Sequence, residues 1–221
     1  MEWSVEEKPA YSVLKVALSP GESVVAEPGA YMMHKGKIKV KTGMGGGFFK
    51  AIARSLFAGE SVFLNTFIAE GKAEVWFAPR LPGDIAYIPL SNTEIVVQDS
   101  SYLAHHGDVD VSIAWRGLKG IFAEGQLVWL KLKGVGGAWV NSYGGIVEVD
   151  LPAGETTIVD NFHFVALSGA AKWKIKKFGG IKSFLLGGEG FVIEVEGPGR
   201  LWLQTRTLLG LAEALSRYKS K

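Results

Sequence analysis

Three segments of the chain alternate apolar and polar side chains at a period of two, and each begins at a glycine. After Gly36 come Lys37, Lys39 and Lys41 with Ile38 and Val40 between them. After Gly107 come Asp108, Asp110 and Ser112 around Val109 and Val111, and after Gly169 the run reads Lys172-Trp173-Lys174-Ile175-Lys176. Such alternation predicts strands with one wet face and one buried face. Tyr31, Tyr102 and Phe164 each stand five positions before one of these glycines. A second series keeps the same order: Trp76, Trp139 and Trp202 are separated by 63 residues each time, and each follows a hydrophobic run that contains a glycine. Two landmark series in one order predict a duplication. The chain therefore reads as one compact unit, 1–221, made of three repeats at 10–80, 81–143 and 144–206, followed by a C-terminal helix within 207–221.

Within each repeat, short apolar runs are divided by turn signals such as Ser19-Pro20-Gly21, Pro82-Gly83-Asp84, Tyr143-Gly144-Gly145 and Pro152-Ala153-Gly154. This spacing predicts a mostly β protein of the sandwich or barrel kind. Two helices are expected beside the strands. One covers about 48–57, where Phe48, Phe49, Ile52, Ala53, Leu56 and Phe57 share a side and Lys50 and Arg54 lie opposite. The other covers about 208–219, where Leu208, Leu211, Leu215 and Tyr218 form a stripe expected to pack on the body or on a neighbouring subunit.

Composition narrows the function classes. The 221 residues are 48% hydrophobic and 21% charged, with a formal net charge of +2, so neither a disordered tail nor a strongly polyanion-seeking surface is indicated. There is no cysteine, which excludes disulfides, thiolate catalysis and sulfur-ligated metals. The 29 glycines have no collagen period and belong in turns of the folded units. Residues 1–11 carry neither a signal-peptide nor a transit-peptide pattern, and the longest uncharged stretch, 134–147, is too short to cross a bilayer. A cytoplasmic protein without an integral membrane segment is expected. The four Asn, three Gln and excess of Lys and Glu resemble the bias of proteins from hot environments.

Candidate chemistry is sparse. His34 and His105 occupy the same place, two residues before their glycines, but the third position is Leu167, so local hydrogen bonding is expected rather than a metal site. Glu27, Asp99 and Asp160 fall at related places in the repeats, which points to a shared turn rather than convergent catalytic carboxylates. No Gly-x-Ser-x-Gly elbow, phosphate loop or dinucleotide fingerprint is present. Two interaction features remain. The run Gly43-Met44-Gly45-Gly46-Gly47 leads into Phe48 and Phe49, and with Arg54 it could meet an unknown protein partner or touch a lipid surface peripherally. The rows Lys37, Lys39, Lys41 and Lys172, Lys174, Lys176 could instead track the phosphates of RNA.

The stretch 45–85 adds a resemblance. Its glycine loop, the helix with Arg54, Gly59-Glu60-x-x-Phe63, Phe67, Gly71, Ala78-Pro79 and Pro82-Gly83-Asp84-Ile85 resemble the mitochondrial-biogenesis family named for altered inheritance of mitochondria, a family of unknown function. Gly199-Arg200-Leu201-Trp202-Leu203-Gln204-Thr205-Arg206 is similar to the same family. The resemblance implies a fold like that of the tryptophan RNA-binding attenuation protein, with three β-sandwich-like units in pseudo-three-fold arrangement and a tendency to oligomerise. It carries no catalytic residue and no cofactor. The expectation is a non-enzymatic, self-associating binding or scaffold protein, with RNA binding through the lysine rows as the alternative.

Overall fold

The computed structural model describes residues 1–43, 64–116, 128–177 and 191–219. The expected helix at 48–57, and with it Gly45, Gly46, Gly47, Phe48, Phe49 and Arg54, lies outside the described residues.

The strands are β1 (Glu2–Glu6), β2 (Val13–Leu18), β3 (Ser23–Ala26), β4 (Tyr31–Lys35), β5 (Ile38–Gly43), β6 (Leu64–Ala69) and β7 (Ala73–Phe77). Three long strands follow, β8 (Ile85–Gln98), β9 (Tyr102–Arg116) and β10 (Val128–Asn141), with a short 3-10 turn at Asp99–Ser101 between the first two. The last set is β11 (Ile146–Leu151), β12 (Thr156–Asp160), β13 (Phe164–Ser168), β14 (Lys172–Lys177), β15 (Phe191–Glu196) and β16 (Gly199–Gln204). A helix, α1 (Leu208–Lys219), ends the described chain.

The protein is mostly β, and its sheets are antiparallel. They run in the orders β1-β2-β7-β4, β11-β16-β13-β8-β10-β9-β3-β6-β5 and β12-β15-β14. One pairing pattern recurs. In the first set β7 lies between β2 and β4 while β6 lies between β3 and β5; in the last set β16 lies between β11 and β13 while β15 lies between β12 and β14. The middle set departs from the expected short strands: here each pair of short strands is one continuous strand, so β10 alone lies between β8 and β9 over 14 residues. Its pairing with β8 shifts register between Gly134 and Val135, where β8 carries Asn92 as an extra residue at φ +60°. Gly134 and Gly136 sit there at φ +149° and +150°, and a Cβ on either would come within about 2 Å of a carbonyl oxygen of β9.

Alternation decides which faces are buried. Leu14, Val16 and Leu18 of β2 and Val75 and Phe77 of β7 meet Val24, Ala26 and Phe67 of the large sheet, closing one sandwich. Val159, Ile193 and Val195 of the three-stranded sheet meet Leu151, Phe164, Leu167 and Leu201, closing another. Between them lies a third cluster from the long strands, including Ile88, Leu90, Val111, Leu130 and Leu132.

The segments that link the three sets cluster together. Gly83 and Gly144 form a parallel bridge, the Asp84 amide donates to the Gly144 carbonyl, and the Thr205 amide donates to the Gly145 carbonyl. The helix α1 falls where the apolar stripe predicts; along the stripe Leu208, Leu215 and Tyr218 are exposed and Leu211 is half-buried.

Candidate interaction site

The best defined candidate surface is built on the outer strand β4. Its residues pair on one side with β7, Met33 opposite Trp76 and His34 opposite Val75, while β4 ends its sheet on the other side. Tyr31 Oη lies 2.8 Å from Nδ1 of His34. The three-residue spacing and the extended backbone bring these rings together, and the local hydrogen bonding expected of His34 is what the structure shows. Tyr31, Met32, His34 and Lys35 are all exposed.

The same pair exists in buried form. Tyr102 Oη and His105 Nδ1 are 2.7 Å apart at the start of β9, and both residues are almost fully covered. Covering is achieved by β3, which pairs Val25 with His105 and Ala26 with Ala104. The Glu27 amide continues the ladder by donating to the Leu103 carbonyl at 2.9 Å. Burial here has electrostatic consequences. The Glu27 carboxyl is pushed up to about 7 by burial, reinforced by Asp99 and opposed by Arg80. Burial, helped by His106, lowers His105 to about 4, and the Tyr102 phenol is raised well above its ordinary value. Of the related carboxylates, Asp99 lies near enough to act on Glu27, although the counterpart of Glu27 by ladder position is Gln98 and Asp99 lies in the following 3-10 turn.

Beside β4 lies an open groove of about 480 Å³ lined by Trp3, Glu6, Lys15, Lys35, Glu74 and Trp76 among others. Both of its lysines are paired with carboxylates. Lys15 pairs with Glu6 and stands 3.9 Å over the Trp76 ring, Lys35 pairs with Glu74 at 3.6 Å, and the Trp76 indole donates to Glu74 at 2.6 Å.

The lysine rows differ from each other. Lys39 and Lys41 lie on β5 with Lys37 just before it, exposed and without an acidic partner among the described residues. Lys172, Lys174 and Lys176 lie on β14, where Lys172 pairs with Glu196 at 3.8 Å and Lys174 and Lys176 both pair with Glu194. The rows end different sheets, so they do not form one basic surface by strand pairing. Asp108 and Asp110 are exposed on β9. No cluster of His, Asp and Glu with metal-binding geometry occurs among the described residues, and no helix among them is long and apolar enough to cross a membrane.

Residues 3–206 match the family described as mitochondrial biogenesis AIM24. The chain belongs to that family. This agrees with the resemblance carried by the Gly59-Glu60, Pro82-Gly83-Asp84 and Gly199-Arg200 motifs. A curated relative, an uncharacterized protein of Streptococcus pyogenes serotype M6, is 28% identical over 226 residues, covering 99% of this chain and 91% of that protein. A crystal structure of a Streptococcus pyogenes protein shares the fold at a TM-score of 0.82 and 27% identity, covering 98% of this chain and 99% of the other. The AIM24 motif Pro82-Gly83-Asp84 has a structural explanation: it is the crossing point where the linking segments bridge. Sequence reasoning missed the contrast between β4 and β9, because burial of one Tyr-His pair and exposure of the other depends on which strand lies alongside.

Proposed function

We propose that this AIM24-family chain is a non-enzymatic binding or scaffold protein that associates with itself, and that its repeats at 10–80, 81–143 and 144–206 are units like that of the tryptophan RNA-binding attenuation protein in pseudo-three-fold arrangement. The recurrent pairing order of the strand sets supports the repeat reading. Self-association is carried by one observation: α1 presents Leu208, Leu215 and Tyr218 to solvent. Monomeric proteins bury such stripes, and an exposed one marks a contact surface. Size-exclusion chromatography with light scattering on the full chain at micromolar concentration tests it. A mass above that of a single 23.8 kDa chain is expected, and a clean monomer overturns the reading.

RNA binding is the second reading, favoured by Lys37, Lys39 and Lys41, which have no acidic partner among the described residues. Glu194 and Glu196 weaken the other row. If RNA is the ligand, retention on single-stranded RNA at low salt is lost with Lys39→Glu and much less affected by Lys174→Glu; absence of retention rejects it.

A further inference from the structure

Two joints hold the strand sets together, and they use one rule. At the first, Val25 of β3 stands opposite His105 of β9; at the second, Val96 of β8 stands opposite Leu167 of β13. In each case a residue 11 positions before its own landmark glycine meets a residue two positions before the next one. Flanking pairs keep the register, with Ala26 opposite Ala104 and Val97 opposite Ala166.

The third pair under this rule is Ile158, 11 positions before Gly169, and His34, two before Gly36. Ile158 lies on β12 and His34 on β4, and both strands end their sheets with no hydrogen-bonded neighbour on the outer side among the described residues. The exposures show what is missing. At the closed joints Val96, His105 and Leu167 are 8%, 5% and 3% exposed and Val25 is half-buried, whereas Ile158 is 51% exposed and His34 is exposed too. Tyr102 is 2% exposed and its counterpart Tyr31 is 43% exposed. Unpaired edges of this kind are templates for strand addition.

We propose that β12 of one copy of this chain pairs antiparallel with β4 of a second copy, Ile158 opposite His34 and Val159 opposite Met33, joining the three-stranded and four-stranded sheets into one. A second copy is the occupant because β4 and β12 form no ladder within the chain, while each already has the register of the other's partner. The Tyr31-His34 pair is set in the form that Tyr102-His105 takes at the closed joint, where the Tyr102 hydroxyl also reaches the Val25 carbonyl at 3.4 Å. In the assembled joint the Tyr31 hydroxyl meets the Ile158 carbonyl, as the Tyr102 hydroxyl meets that of Val25. The contact joins two different edges, so it closes into a two-fold or larger ring where its rotation allows and otherwise extends as a filament.

This proposal rests on the self-association reading and adds the strands and register. The cysteine-free chain makes the test clean. By continuation of the Glu27-Leu103 ladder, Val159 and Met33 occupy a position without mutual backbone hydrogen bonds, where Cβ atoms approach closely enough for a disulfide. Met33→Cys and Val159→Cys variants are oxidised separately and as a mixture. A disulfide dimer in the mixture that neither variant gives alone is expected, and the exposed substitution Met32→Lys added to the Met33→Cys chain is expected to abolish it. A doubly substituted chain that yields only an internal disulfide overturns the proposal, since the edges then close within one molecule. An unmodified chain that is oligomeric by light scattering while the mixture gives no cross-link overturns this joint but leaves self-association standing. A monomeric unmodified chain overturns both.

Discussion

The Ser12 hydroxyl donates to Oδ1 of Asp84 at 3.1 Å, linking two residues 72 apart in the chain. The same oxygen accepts the Ile85 amide at 2.7 Å and stands 3.1 Å from Nζ of Lys8. Asp84 therefore ties the start of the first strand set to the start of the second while remaining nearly covered. Asp84→Ala leaves the Ser12 hydroxyl and the Ile85 amide without this acceptor, and a loss of about 1–3 kcal/mol is expected in urea unfolding. Asp84→Asn, which keeps an acceptor, is expected to lose less.

Gly83 makes a sharper case. A Cβ there would sit 1.7 Å from the Ser142 carbonyl oxygen and 3.0 Å from that of Gly144. Both obstacles are backbone, so nothing flexible can yield. Gly83→Ala is expected to cost about 2 kcal/mol or more, as substitutions that force backbone apart do, and to lower the thermal midpoint correspondingly. Gly21→Ala is the control for glycine's conformational freedom: Gly21 has φ +86° but open space around it, so backbone strain alone acts and the loss is expected to be smaller.

The buried joint should make stability depend on pH in two opposing ways. Glu27 has a folded pKa of about 7 against an ordinary 4.5. The stability it contributes is complete below about pH 4.5 and is lost as pH rises through 7. His105 has a folded value of about 4 against 6.5, so its contribution is complete above about pH 6.5 and is lost as pH falls through 4. Glu27→Gln places at this position the side chain that Gln98 already supplies in the second set. The variant is expected to gain stability over the original chain as pH rises, by at most about 3 kcal/mol at pH 8, and to lose the advantage near pH 4. Chemical denaturation at four pH values from 4 to 8 measures this directly.

On α1, Leu215 is 55% exposed. Leu215→Lys is expected to leave the unfolding free energy within about 0.5 kcal/mol of the original while lowering the mass seen by light scattering. A large loss of stability with unchanged mass would mean that the helix packs on its own chain in solution.

Much of this architecture is legible along the chain. The alternation after Gly36, Gly107 and Gly169 marks β5, the latter part of β9, and β14, and the leucine spacing places α1 at 208–219. Fused strands in the middle set are not legible, because a 14-residue strand and two short ones share a period of two. Only the backbone pairing, continuous on β10 from Val128 to Asn141, shows that the strand runs on instead of ending. The lysine rows read alike in sequence, yet Glu194 and Glu196 on the neighbouring β15 neutralise one row and no described residue neutralises the other. Facing strands supply that difference across long separations.

Local order, then, determined the strands, the turns, the final helix and the family, since each depends on periodicity or on motifs a few residues long. Tertiary structure alone decided which edges are covered. Tyr31-His34 and Tyr102-His105 have the same residues at the same spacing, and nothing local separates them. β3 lies against the outer side of β9 and no described strand pairs with the outer side of β4, so one pair is sealed from water and the other faces it.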